Sequence, residues 1–102
     1  MAVSNLGILV KSGAKIDWVY NLARAAFSRG KTVWVHFAEN GVLELREQQI
    51  ENLMPYARVS ICKSSADRFG LSQQLSQRFG SCFAPASAVA EMVRACDRYV
   101  VL

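Results

Sequence analysis

The chain has 102 residues, 52% hydrophobic and 20% charged, with six glycines and two prolines. This composition excludes a disordered or collagen-like polymer, because disorder needs low hydrophobicity and high charge. Twelve Lys and Arg against eight Asp and Glu give a net charge of +4, but the bases are scattered without a run, so nucleic acid is not an expected partner.

The length suits a single domain over residues 1–102, able to form a core without disulfide or metal staples. The apolar fraction is high for such a domain, which points to surface covered by another subunit. The apolar stretch Leu6–Val10 is too short for a secretory signal, and no run reaches the roughly 18–20 residues that span a bilayer. Three cysteines, an odd number, do not make a disulfide framework and are expected as thiols in a reducing cytoplasm.

Leu6–Val10 is a continuous apolar run ending at Lys11-Ser12-Gly13, the pattern of a buried strand and a loop. From Ile16 to Ser28, apolar residues at Ile16, Val19, Tyr20, Leu22, Ala23, Ala26 and Phe27 follow helical spacing. Asp17 suits the positive end of that helix, and Gly30 ends it. Lys31–Ala38, rich in β-branched and aromatic residues, predicts a second strand. Glu39-Asn40-Gly41 is a turn, and Val42–Leu53 predicts an amphipathic helix closed by Pro55.

Ala57–Cys62 predicts a third strand. Ser64–Phe69 predicts a helical turn with Ser64 as N-cap and Gly70 as its end. Leu71–Phe79 reads as a surface helix, since Leu71, Leu75 and Phe79 fall at i, i+4 and i+8. Pro85 opens a helix over Ala86–Cys96 with the stripe Val89, Met92, Val93, Cys96. Tyr99–Leu102 is the last strand. The alternation of strands and helices predicts an α/β three-layer sandwich with a mostly parallel sheet, of the flavodoxin-like kind.

Several chemistries have no support. Gly-x-Gly-x-x-Gly is missing after the first strand, and Gly13-Ala14-Lys15 lacks the upstream glycine of a phosphate-binding loop. No Cys or His pair has zinc spacing, so no metal and no cofactor is expected. No close carboxylate pair suits glycosidase work. His36, mid-strand, reads first as a hydrogen-bonded structural histidine, with catalysis as the other reading.

Cys62 is the chemical candidate. It falls at a strand end and before a helix start, where the partial positive charge of the helix and the full charge of Lys63 favour a thiolate. A thiolate can carry a transferred sulfur atom as a persulfide; the plainer reading is a buried small hydrophobe. Backbone N–H groups near Ser64 and Ser65 are expected to stabilise the anion. Function in open α/β sheets gathers at the carboxyl ends of strands, so Lys11, Ser12, Gly13, Asn40 and Gly41 are expected around the entrance. Cys96 lies on an apolar stripe and reads as inert core. Cys82, in the loop Gly80-Ser81-Cys82-Phe83, is a thiol able to exchange with Cys62 or a loop residue without a role.

The stretch Val59-Ser60-Ile61-Cys62-Lys63-Ser64-Ser65-Ala66-Asp67-Arg68-Phe69-Gly70 resembles the cysteine segment of the DsrE/DsrF-like (DsrEFH) family of sulfur-relay proteins. In that family a strand ends in Cys, followed by a turn of small residues, then Arg and Gly. Asn21–Gly30 is similar to its first helix, Phe37–Val42 to its post-strand Asp-Gly-Val loop with Asn40 in place of Asp, and Met92–Leu102 to its closing helix and strand. The resemblance implies that Cys62 accepts sulfane sulfur from a donor protein and passes it to an acceptor protein, in a trimer or hexamer of like or unlike chains. Some subunits of that family lack the cysteine and serve structure alone, which gives the alternative of a non-catalytic structural or interaction subunit with Cys62 merely packed. The family's long loop after the first strand is trimmed here to Lys11–Lys15.

Overall fold

The computed structural model of the chain describes residues 4–13, 16–43 and 45–102. Five strands, β1 (Asn5–Val10), β2 (Thr32–Phe37), β3 (Arg58–Cys62), β4 (Phe83–Ala84) and β5 (Arg98–Val101), form one sheet in the order β4-β3-β2-β1-β5. Every pairing is parallel. The helices are α1 (Ile16–Ser28), α2 (Glu47–Leu53), α3 (Lys63–Arg68), α4 (Ser72–Phe79) and α5 (Ala88–Ala95). The result is the predicted α/β three-layer, flavodoxin-like sandwich. No helix among the described residues is long and apolar enough to cross a membrane.

Side-chain alternation along the strands separates two faces. On one face Ile8, Val10, Val33, Val35, Phe37 and Ile61 meet Val19 and Ala23 of α1, Ile50 and Leu53 of α2, Ala66 of α3, and Leu75 and Phe79 of α4 in the main core. The opposite face carries Gly7, Trp34, His36, Arg58, Ser60 and Cys62, in register with one another, and α5 packs on it. A Cβ added at Gly7 would stand 3.1 Å from Met92 Cγ and 3.2 Å from Cys96 Sγ. The missing side chain therefore lets α5 sit close to β1.

Element positions depart from the sequence reading by a residue at many ends, and four departures bear on the site or the fold. The helix expected from Val42 begins at Glu47; Glu39–Val42 is a 3-10 turn, and Arg46 before α2 is extended. Val42 and Leu45 are both buried. A 3-10 turn aligns i and i+3 as an α-helix nearly does, so spacing alone did not separate them. The helix expected from Ser64 begins at Lys63, with Cys62 itself as the N-cap residue. An i,i+4 bridge from Lys63 Nζ to Asp67 Oδ1 at 2.7 Å spans the first turn.

Residues 85–87 form a turn, with the Ala88 N–H donating to the Pro85 carbonyl at 2.9 Å, so α5 starts two residues later than expected. β4 was not foreseen; two residues carry no periodicity. Ala14 and Lys15 of the trimmed loop, and Glu44 of the expected helix, lie outside the described residues.

Candidate functional site at the carboxyl end of β2 and β3

β3 runs directly into α3, so Cys62 is at once the last strand residue and the residue before the helix. Its side chain falls on the α5 face, which keeps it out of the main core. Cys62 is buried, at 7% exposure, and it lines an open cavity of about 390 Å³. His36, Ala38, Glu39, Ser64, Ser65, Arg68, Ala86 and Val89 complete the wall.

His36 is the residue whose meaning changes most. It is 1% exposed, and its Nδ1 lies 2.6 Å from Ser60 Oγ, its register partner on β3. Its Nε2 is buried and has no hydrogen-bond partner among the described residues. A buried imidazole nitrogen without a partner is costly. Here that nitrogen belongs to a residue of the cavity wall. Burial pushes the His36 pKa below its ordinary value, which keeps the ring neutral, with one N–H and one lone pair.

The turn after β2 closes the other side. Glu39 has φ of +53°, the left-handed region that non-glycine residues rarely adopt. Its backbone N–H donates to Ser65 Oγ at 2.8 Å, and Ser65 is buried. Ser65 thus ties the strained turn to α3. Glu39 also faces Lys11 Nζ at 3.5 Å, an exposed pair that contributes little to stability.

Of the expected site residues, the structure brings Cys62, Ser64 and Ser65 to one cavity. Lys63 is adjacent in sequence but outside the wall: its ammonium bridges Asp67 and lies 5.6 Å from the centre of the Phe83 ring. That bond, with a second from Ser72 Oγ, holds the Asp67 carboxyl below its usual pKa. Lys11, Ser12, Gly13, Asn40 and Gly41 also stand outside the wall.

The Lys11 and Ser12 N–H groups instead donate to the Leu102 carbonyl, at 2.8 and 3.1 Å. Gly41 packs on the end of β1, where an added Cβ would lie 2.1 Å from the Val10 carbonyl oxygen. These residues sit at strand ends as foreseen, but Lys11 and Ser12 bond to Leu102 and Gly41 packs on Val10.

Cys82, foreseen in a loop, is buried in the main core, and burial pushes its thiol pKa up. Cys96 is buried between α5 and Gly7; burial first, and then the Asp97 charge, raises its pKa. Sequence reasoning gave no site role to His36 beyond its catalytic alternative, and none to Ser60, Glu39 or Arg68, although Glu39 was read at a strand end and Ser60 and Arg68 lie in the cysteine segment. A signal was present: Val33, Val35 and Phe37 alternate toward the core, as do Val59 and Ile61. His36, Ser60 and Cys62 must therefore share the other face once the two strands pair. No protein-family model matches the chain, and no curated protein is similar enough to match it.

Proposed function

We propose that this chain is a sulfur-relay protein of the DsrE/DsrF-like kind, with Cys62 as the sulfur carrier. One observation supports the reading above the others. Of the three buried cysteines, Cys62 lines an open cavity whose wall includes His36, a residue whose Nε2 has no hydrogen-bond partner among the described residues.

In the proposed step the Cys62 thiolate attacks the outer sulfur of a donor persulfide, R–S–SH. The donor S–S bond breaks, a new bond forms from Cys62 Sγ to the transferred sulfur, and the donor leaves as R–S⁻. Attack by an acceptor thiolate on the new persulfide repeats the exchange and regenerates Cys62. No external oxidant or reductant enters. Arg68, on the cavity wall, supplies positive charge beside the sulfur anion. A protein donor and a protein acceptor, a cytoplasmic setting and a trimeric or hexameric assembly belong to the same reading.

Exposure to a small persulfide donor followed by mass spectrometry tests it. The expected result is a gain of one sulfur atom at Cys62, removed by a thiol reductant and absent in Cys62→Ser. An unmodified protein, or a gain that persists in Cys62→Ser, refutes the proposal.

A second reading has its own observation. Tyr99 and Val101 on β5 are 54% and 53% exposed, a large apolar surface for an edge strand. A structural subunit of an oligomer would cover them. Under that reading the chain self-associates in light scattering while Cys62 takes up no sulfur.

A further inference from the structure

We infer that His36 Nε2 is the proton acceptor for the Cys62 thiol. The inference rests on the sulfur-relay reading for its biological use, but its geometry stands apart from it. His36 and Cys62 project from the same face of adjacent parallel strands, since the register pairs His36 with Ser60, two residues before Cys62. Both residues line one cavity. Buried polar atoms are almost always satisfied, and an orphan in a native structure calls for an explanation. No described residue bonds Nε2 in the resting chain, Cys62 included, so the transfer proceeds once the thiol turns toward Nε2 or through one bridging water.

Ser60 Oγ can accept from Nδ1 or donate to it, so the tautomer of this contact decides what Nε2 can do. With Nδ1 carrying the proton and donating it to Ser60 Oγ, Nε2 is left with its lone pair. That arrangement is the acceptor–orienter pairing used to activate nucleophiles in general. Burial keeps the ring neutral, so the lone pair is available around neutral pH.

The full step balances. The Cys62 thiol proton moves to Nε2, leaving Cys62–S⁻ and an imidazolium. The thiolate takes the outer sulfur of R–S–SH, releasing R–S⁻. The imidazolium then returns the proton to give R–SH and neutral His36.

The other titratable or charged groups on the cavity wall are Glu39, from the turn after β2, and Arg68, from α3. Glu39 is paired with Lys11. From α5 and the segment before it, only Ala86 and Val89 reach the wall. None of these is a neutral base: the Arg68 guanidinium has no acceptor, and the Glu39 carboxylate is engaged by Lys11.

The test has two arms on the intact chain. Long-range proton–nitrogen NMR of the wild type reads the tautomer directly; the expected result is a proton on Nδ1 and none on Nε2. Iodoacetamide, an uncharged reagent, then reads Cys62 nucleophilicity against pH by mass at that residue. His36→Asn is expected to slow alkylation at neutral pH at least about tenfold and to restore the pH profile of an ordinary thiol. Ser60→Ala, a milder change, is expected to slow it by a smaller factor.

A proton found on Nε2 overturns the inference, and so do coincident pH profiles for wild type and either variant. If His36→Asn does not fold, the NMR arm and Ser60→Ala still decide. Persulfide loading with unchanged alkylation profiles would sink the proton role alone. Slowed alkylation without persulfide loading would sink the relay alone.

Discussion

Ser60 Oγ and His36 Nδ1 lie 2.6 Å apart across two paired strands, and this contact sets the orientation of a fully buried ring. Truncation in Ser60→Ala would leave both imidazole nitrogens of His36 without partners. Loss of a buried hydrogen bond of this kind costs about 1–3 kcal/mol, so the urea midpoint of Ser60→Ala is expected to fall with an unchanged slope.

Acidification exposes the same ring through stability. The folded-state pKa of His36 is lowered by burial from the ordinary 6.5. Below that value the unfolded chain binds a proton that the folded chain still refuses. Stability is therefore complete above pH 6.5 and declines as pH falls below it, until the folded ring protonates too. Thermal midpoints measured across this window are expected to fall toward acid in the wild type. They are expected to stay flatter in His36→Asn. Asp67, whose pKa lies below the ordinary 3.8, loses its contribution only in stronger acid, outside this window.

Three cysteines provide an internal comparison. All three are buried, and burial raises the pKa of Cys82 and Cys96; Cys62 lines the cavity. Native-state alkylation resolved by peptide mapping is expected to modify Cys62 first. Cys82 and Cys96 are expected to react only at the rate of local or global opening. Preferential labelling of Cys82 would contradict this arrangement.

Two glycines separate packing from tolerance. An added Cβ at Gly41 would sit 2.1 Å from the Val10 carbonyl oxygen, while at Gly80 nothing lies within 4 Å. The Gly41→Ala change must move backbone and is expected to cost about 3 kcal/mol. Gly80 has φ of −56°, so Gly80→Ala is expected to be neutral or stabilising by up to about 1 kcal/mol. Parallel urea titrations of the two variants measure the contrast.

The architecture was legible because its signals are local. The apolar run of β1, the helical stripe of α1 and the β-branched run of β2 each fix an element within a few residues. The start of α2, and β4 as a whole, escaped for equally local reasons: a 3-10 turn imitates helical spacing, and two residues hold no pattern. The site was legible only at Cys62, Ser64 and Ser65, which are consecutive with the strand end that announces them.

Arg68 follows Ser64 by one turn of α3, but His36 and Glu39 reach the cavity through strand pairing and through the turn that Ser65 anchors. Both are contacts between residues more than twenty positions apart. Lys11, Ser12 and Gly41 stand outside the cavity wall for a related reason. Strand ends do cluster, but β5 and the Leu102 carbonyl occupy the tip of β1.

The two margins of the sheet are unequal. β4 offers only Phe83 and Ala84 before Pro85, which has no amide hydrogen to give. That margin is blunt to any incoming backbone. β5 is twice as long and presents its outer row of peptide groups over Arg98–Val101. A polypeptide that extends this sheet by strand addition therefore has one usable side, and it is the side remote from the sulfur of Cys62.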